Sequence, residues 1–270
     1  MRRRDFVAMA AAAPLVACAG TGGKDAGQLV ESSVTVPTSD GAADAFWVHP
    51  AKGRYPGIVL WPDIAGLRDA KMAMARQLAA SGFAVLAVNQ YYRSARAPVL
   101  ASFAEWRMPE GRARIAPMAA LLTPEAVARD AAAFAAWLDA QAAVDTARAI
   151  GTQGYCMGGP FAMRTAAASS RVGAVASFHG GGLVTDKPDS PHLTFGSTRA
   201  SYLIAVARND DARASADKDV LRAAAQAAGR PVEIEVYDAD HGWCVPDSPV
   251  YAPAEAERAF ARLLALYADL

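Results

Sequence analysis

Hydrophobic and polar positions alternate in two stretches near the start of the chain, Ser33–Val36 and Ala45–Val48, with Ser39-Asp40-Gly41 between them. Alternation with period two around a glycine-containing turn predicts a β-hairpin at the edge of a sheet. The pattern then changes. Gly57–Trp61 and Phe83–Val88 are unbroken apolar runs, as expected of strands buried on both faces. Ala147–Gln153, Val172–Phe178, Tyr202–Ala207 and Val232–Tyr237 read as further strands. Helical stretches lie between them. Asp69–Ala80 stops at Ser81-Gly82. A second helix starts at Thr123-Pro124, with Thr as N-cap and Pro in the first turn, and runs to about Ala140. Others start at Gly158 or span Asp217–Ala228 and Ala254–Ala268. Strands alternating with helices predict an α/β fold, a mostly parallel, doubly wound sheet with helices on both faces. Functional groups in such sheets sit at the carboxyl ends of the strands.

The amino terminus follows a different logic. Met1-Arg2-Arg3-Arg4-Asp5-Phe6-Val7 leads into an alanine-rich apolar run, Ala8–Ala17, and then Cys18. A basic head, a brief apolar stretch and small residues make a secretory signal. The run is far shorter than the ~20 apolar residues of a membrane span. Arg3-Arg4-Asp5-Phe6 resembles a twin-arginine motif. Leu15-Val16-Ala17-Cys18 resembles a bacterial lipobox, in which Cys18 becomes the lipidated first residue. The expected organisation is a signal peptide over 1–17, a tether over 18–31 and one folded domain over 32–270. The protein is then exported to the periplasm and meets a membrane only through a lipid on Cys18.

A length of 270 residues suits a single large domain. At 53% hydrophobic and 20% charged, the chain is globular and not disordered. Its 27 basic and 27 acidic residues cancel, and losing residues 1–17 removes three arginines and one aspartate, leaving −2. That gives no basic footprint for nucleic acid. Three cysteines make no disulfide framework, and the four histidines lack metal-ligand spacing. A monomer without metal or cofactor, acting on a small molecule, is expected.

The chemistry gathers at strand ends. Gly154-Tyr155-Cys156-Met157-Gly158 follows one predicted strand and opens a helix. This is the nucleophile-elbow pattern with Cys where Ser usually stands. Small flanking residues allow the sharp turn, and the N–H of Met157 points at a developing oxyanion. A nucleophile needs a base, and the base needs an orienting acid. Arg208-Asn209-Asp210-Asp211 follows the Tyr202–Ala207 strand and Asp238-Ala239-Asp240-His241-Gly242-Trp243 the Val232–Tyr237 strand, in the order acid then histidine. His241 is the expected base, and Asp210 is preferred to Asp211 by its position after the strand. His179, in Phe178-His179-Gly180, either lines the pocket or is a hydrogen-bonded loop residue. Asp63 ends the Gly57–Trp61 strand and either caps a turn or gates the nucleophile. The N–H of Ile64 is the second expected oxyanion donor.

With these residues in place, Ser32–Leu270 resembles the dienelactone hydrolase family of α/β-hydrolases. The likeness rests on Gly154-Tyr155-Cys156-Met157-Gly158-Gly159, the Asp210 region, and His241-Gly242-Trp243 followed by Val245-Pro246-Asp247-Ser248-Pro249-Val250-Tyr251. It implies a Cys156–His241–Asp210 triad. It also implies a carboxylate meeting the resting thiol where Asp63 stands, one methylene shorter than the family's glutamate. Family members bind a substrate carboxylate through an arginine after a Tyr-containing strand end. Tyr91-Tyr92-Arg93 fits, making Arg93, with Asp63, Tyr91, His179 and Trp243, the expected substrate contacts. The Met-, Arg- and Pro-rich segment from Ser94 to Leu122 reads as an insertion over the pocket.

Together these readings predict cleavage of an ester or lactone, anionic if Arg93 receives it, through an acyl-thioenzyme. A broad carboxylesterase or thioesterase acting on uncharged substrates is the alternative. A non-catalytic exported binding protein on the same fold is another. A Cys156–Cys244 disulfide would inactivate the enzyme, although disulfide geometry is demanding.

Overall fold

The computed structural model describes residues 27–270, so the leader and Cys18 lie outside the described residues. β1 (Leu29–Thr38) and β2 (Gly41–Pro50) form the expected hairpin, paired from Leu29 with Pro50 to Thr38 with Gly41. The first strand starts at Leu29 and not at Ser32. Leu29, Val30 and Glu31, assigned to the tether, therefore belong to the sheet, where Arg76 of the first helix holds Glu31 at 2.8 Å.

The chain continues through β3 (Gly57–Trp61), α1 (Asp69–Ala80), β4 (Ala84–Val88), α2 (Phe103–Arg107), α3 (Pro109–Ala119) and α4 (Pro124–Asp139). Then follow β5 (Ile150–Tyr155), α5 (Gly158–Ala168), β6 (Val172–Phe178), β7 (Ser201–Ala207), α6 (Arg208–Arg213), α7 (Asp217–Ala227), β8 (Val232–Tyr237) and α8 (Pro253–Tyr267). The strands make one eight-stranded sheet in the order β1-β2-β4-β3-β5-β6-β7-β8. Only the β1–β2 and β2–β4 pairs are antiparallel. This is the mostly parallel, doubly wound sheet that the hydrophobic pattern predicted.

Strand order explains where a site can form. From β3 the chain crosses to β4 on one side and returns to β5 on the other. A crevice opens at the carboxyl ends where the winding reverses. β3 and β5, the two strands flanking it, are buried at every position. Helices cover both faces. α4, α5 and α7 pack on one through Val127, Phe134, Leu138, Phe161, Met163 and Leu221. α1 and α8 cover the other through Leu78, Leu263 and Tyr267. Thr123 caps α4 as its sequence implies, its side chain accepting the Ala126 N–H at 3.2 Å. At the β8 edge, Glu233 and Glu235 pair with Arg262 and Arg258 of α8, which guards an exposed strand with charge.

Two expectations need correcting. The strand expected over Ala147–Gln153 runs from Ile150 to Tyr155, because Asp145 captures the Ala147 N–H at 3.1 Å and makes a turn there. The Ser94–Leu122 insertion is not one loop, since it contains α2 and α3. Ser102 caps α2 by accepting the Glu105 N–H, and Pro109 starts α3. Of α3, only Gly111 and Ile115 are buried, so no apolar stripe marked it as a helix.

Phe134 is fully buried and its ring centroid lies 5.4 Å from that of Trp61. Phe134→Ala should cost about 3–5 kcal/mol of stability. Chemical denaturation of the variant beside the parent measures this.

Candidate active site

β5 delivers Cys156 to the carboxyl edge of the sheet. There the residue takes a left-handed backbone with φ 54°. For a residue with a side chain this conformation costs roughly 1–2 kcal/mol. The two flanking glycines make the turn possible. A Cβ on Gly154 would lie 1.8 Å from the Gly158 carbonyl oxygen, and one on Gly158 would lie 2.5 Å from that of Pro62. With no side chain at either position, the start of α5 closes against β5 and the end of β3. The thiol is left partly exposed.

His241 stands in the loop after β8, its backbone N–H donated to Asn209 Oδ1 at 2.9 Å. Its Nδ1 lies 2.6 Å from Asp210 Oδ2, in the first turn of α6 directly after β7. Asp211, the other aspartate open to this role, is taken by Lys218 at 2.5 Å. With Nδ1 committed to Asp210, Nε2 is the ring atom left for Cys156. Burial disfavours the imidazolium, but Asp210 and Cys156 outweigh it and raise the His241 pKa to about 10.

The two expected oxyanion donors are matched by register. Trp61 of β3 pairs with Gly154 of β5, and Ile64 and Met157 each lie three residues further on. Among the described residues, neither of their N–H groups donates to a carbonyl or side chain. Both are thus free for a bound oxygen between the two strand ends.

The five residues expected to meet substrate are each engaged inside the protein. Asp63 is 1% exposed and ion-paired with Arg68 at 2.8 Å and Lys71 at 3.0 Å. Burial opposes its charge, yet the two cations hold its pKa down to about 2. It accepts the Ala65 N–H at 2.9 Å as well, so its carboxylate has no freedom to serve the thiol. Arg93 is held by Asp40 at 2.6 Å and by Asp130 at 2.8 Å, beside the turn of the hairpin. That guanidinium is neutralised by two carboxylates. Tyr91 is buried and donates its hydroxyl to the Ile64 carbonyl at 2.8 Å. Trp243 is fully buried and stacks on Tyr237 with centroids 5.0 Å apart.

His179 also takes a left-handed backbone, at φ 42°. It is 1% exposed, with its ring centroid 4.7 Å from that of His241 and 5.2 Å from that of Trp243. Neither ring nitrogen has a partner among the described residues, so it is not the hydrogen-bonded loop histidine of one reading. Nor does it line an opening. Burial first, then His241 and Lys71, push its pKa well below the ordinary value, so it is a neutral plate behind His241.

Sequence reasoning missed Arg68, Lys71 and Asp247. Arg68 is fully buried and bridges Asp63 to Asp247, the latter at 2.7 Å. Asp247 also accepts the Phe103 N–H at 2.9 Å, tying the start of α2 to the His241 loop. Lys71 hides in α1 with Nζ 4.2 Å from the Tyr155 ring centroid. Two basic residues at the start of an amphipathic helix give no signal that they point inward. Cys244 is buried and Cys156 partly exposed, and both thiols are free. Cys244 lines a cavity with Tyr155 and Phe178.

The sequence model of one protein family, described as the Dienelactone hydrolase family, matches residues 43–270. A candidate carboxymethylenebutenolidase of Methylorubrum extorquens is 28% identical over 255 residues, spanning 92% of this chain and 84% of its own. The crystal structure of a candidate dienelactone hydrolase from Klebsiella pneumoniae aligns with a TM-score of 0.78 at 20% identity, over 90% of this chain and all of that one. A dienelactone hydrolase from Anabaena variabilis aligns at 0.64 and 17% identity, over 89% and 98%.

Two outcomes follow from the charges. Asp63→Asn leaves Lys71 buried without a full counter-charge and should cost about 3–5 kcal/mol, read by urea titration. His241 has an ordinary pKa of 6.5 and a folded value of about 10. Its charged pairing therefore stabilises the fold fully below pH 6.5 and progressively less as pH climbs towards 10. Melting temperatures of the parent and His241→Gln should converge over that interval.

Proposed function

The chain belongs to the dienelactone hydrolase family, and from that premise we propose that it cleaves its substrate through an acyl-thioenzyme on Cys156. It is a hydrolase acting on carboxylic ester or lactone bonds. The observation that carries the cysteine mechanism is the Asp210–His241 contact at 2.6 Å, which commits Nδ1 and leaves Nε2 for a thiol on a left-handed turn.

In this reading Cys156 Sγ attacks the carbonyl carbon of a small ester or lactone. The carbonyl oxygen takes the negative charge and accepts from the Ile64 and Met157 N–H groups. Such donors are worth about 10²–10³ in rate apiece. The tetrahedral intermediate collapses by breaking the bond to the alcohol oxygen, which leaves with a proton from His241. A water then attacks the thioester, His241 takes its proton, and Cys156 departs with the acid as product. Asp210 holds the imidazole in the tautomer and charge state that both halves require. The basic head and Leu15-Val16-Ala17-Cys18 support an exported, lipid-anchored enzyme.

Arg93 favours a second reading of the substrate. Its guanidinium is already held by Asp40 and Asp130. That supports uncharged esters over a lactone bearing a free carboxylate.

Turnover of a panel holding a dienelactone-type acid, a neutral p-nitrophenyl ester and an acyl thioester tests both readings. Cys156→Ala should abolish turnover at an unchanged melting temperature, and Cys244→Ala should leave it intact. Full activity in Cys156→Ala refutes the thiol mechanism. Arg93→Gln should raise KM equally for anionic and neutral members. A rise confined to the anionic ones restores Arg93 as their receptor.

A further inference from the structure

The Ile64 N–H is useful only if it is aimed, and the loop carrying it is held from an unexpected place. Directly after β4, Gln90 is 1% exposed and its Nε2 donates to the Asp63 carbonyl at 2.8 Å. That carbonyl and the Ile64 N–H belong to the same peptide unit. In a planar trans peptide they point in opposite directions, so fixing one fixes the other. The neighbouring residue repeats the device, since Tyr91 fixes the Ile64 carbonyl and with it the next peptide plane. Asn89 anchors the clamp itself. Its Nδ2 donates to Asp44 Oδ1 at 2.9 Å and to the Ala95 carbonyl at 2.8 Å, and its Oδ1 accepts the Tyr91 N–H at 3.0 Å.

Gln90 is a poor choice for stability alone. Its Oε1 is buried with no partner among the described residues. An unsatisfied amide oxygen in the interior is a cost that an apolar side chain of the same length would avoid. The Gly66 N–H already donates to the Asp63 carbonyl at 2.9 Å, so the turn does not need a second donor to close. What the second donor adds is a fixed direction for the peptide plane.

We propose that Gln90 is a positioning residue for hydrolysis: by holding the Asp63 carbonyl it aims the Ile64 N–H at the oxyanion formed during attack by Cys156. This rests on the reading of Cys156 and Ile64 given above. It adds a residue outside the triad whose effect is confined to the carbonyl oxygen of the substrate.

The test is the infrared carbonyl stretch of the acyl group on Cys156, recorded with a slowly hydrolysed cinnamoyl ester on the full chain. Donation from Ile64 lowers that frequency. In Gln90→Met, which keeps length and loses the donor, the stretch should move to higher wavenumber and kcat should fall about 10²-fold, with KM and the pH profile held. Gln90→Glu supplies a second arm. Burial favours its protonated form, which can donate, so its activity relative to the parent should recover as pH is lowered. An unshifted carbonyl band in Gln90→Met, or loss appearing only as a smaller folded fraction, overturns the proposal. Failure of the parent protein to form any acyl-thioenzyme overturns the underlying mechanism, and the two failures are distinct.

Discussion

Asp63 must remain ionised in the interior, and the catalytic face is arranged around that requirement. A buried carboxylate is tolerated only with counter-charge and hydrogen bonds. Arg68, Lys71 and the Ala65 N–H supply them. Each partner is also a structural joint. The Ala65 bond shapes the turn that presents Ile64. Arg68 and Lys71 bracket the start of α1, so the helix cannot shift without stranding a charge. Arg68 then reaches Asp247 in the loop after His241. One guanidinium therefore links the loop that carries Ile64 to the segment that carries His241. Replacing such a cluster with well-packed apolar residues need not lower stability, but losing a single member does. The cluster therefore specifies geometry more than it adds to stability.

The strain in the site has the same logic. Cys156 and His179 are the non-glycine residues with left-handed backbones among the described residues, and both lie at carboxyl ends of central strands. Such conformations persist where the surroundings over-determine them. The Cys156 N–H donates to the Phe178 carbonyl at 3.0 Å, and the His179 N–H to the Ala205 carbonyl at 2.8 Å. Each strained residue is thus stitched to the next strand across. The sheet fixes Cys156 and the His179 ring, which lies 4.7 Å from that of His241, in register with each other, as preorganised sites require.

Much of this was legible in the residues, and the limits are physical. Continuous apolar runs revealed the central strands because burial on both faces leaves no room for polar positions. The elbow was legible because two glycines are forced by contacts of 1.8 and 2.5 Å. The Asp210–His241 contact was legible because both residues follow strand ends. Partnerships across the fold were not legible. Arg93 meets Asp40 and Asp130, far away in the chain, and nothing local distinguishes a satisfied arginine from a waiting one. Trp243 beside the base looked like a contact for substrate, yet stacking on Tyr237 takes it into the core. α2 and α3 escaped because short helices with few buried residues carry no periodic signal.

The α2–α3 segment packs on the loops that follow β3, β4 and β5. Its apolar side chains, among them Phe103, Trp106, Ile115 and Met118, form one cluster with Ile64, Tyr91 and Met157. The side chains of Ile64 and Met157 therefore face α2 and α3, while their N–H groups donate to no carbonyl or side chain among the described residues. The segment is fastened at the start of α2 by the Phe103 N–H on Asp247, which Arg68 also grips. Side chains further along can change while that fastening stays, and the Asp210–His241 contact does not depend on them because its bonds lie between the His241 loop and α6. The Asp210–His241 pair and the α2–α3 segment thus sit on separate elements of the fold, and Asp247, in the loop after His241, joins them through Arg68 and Phe103.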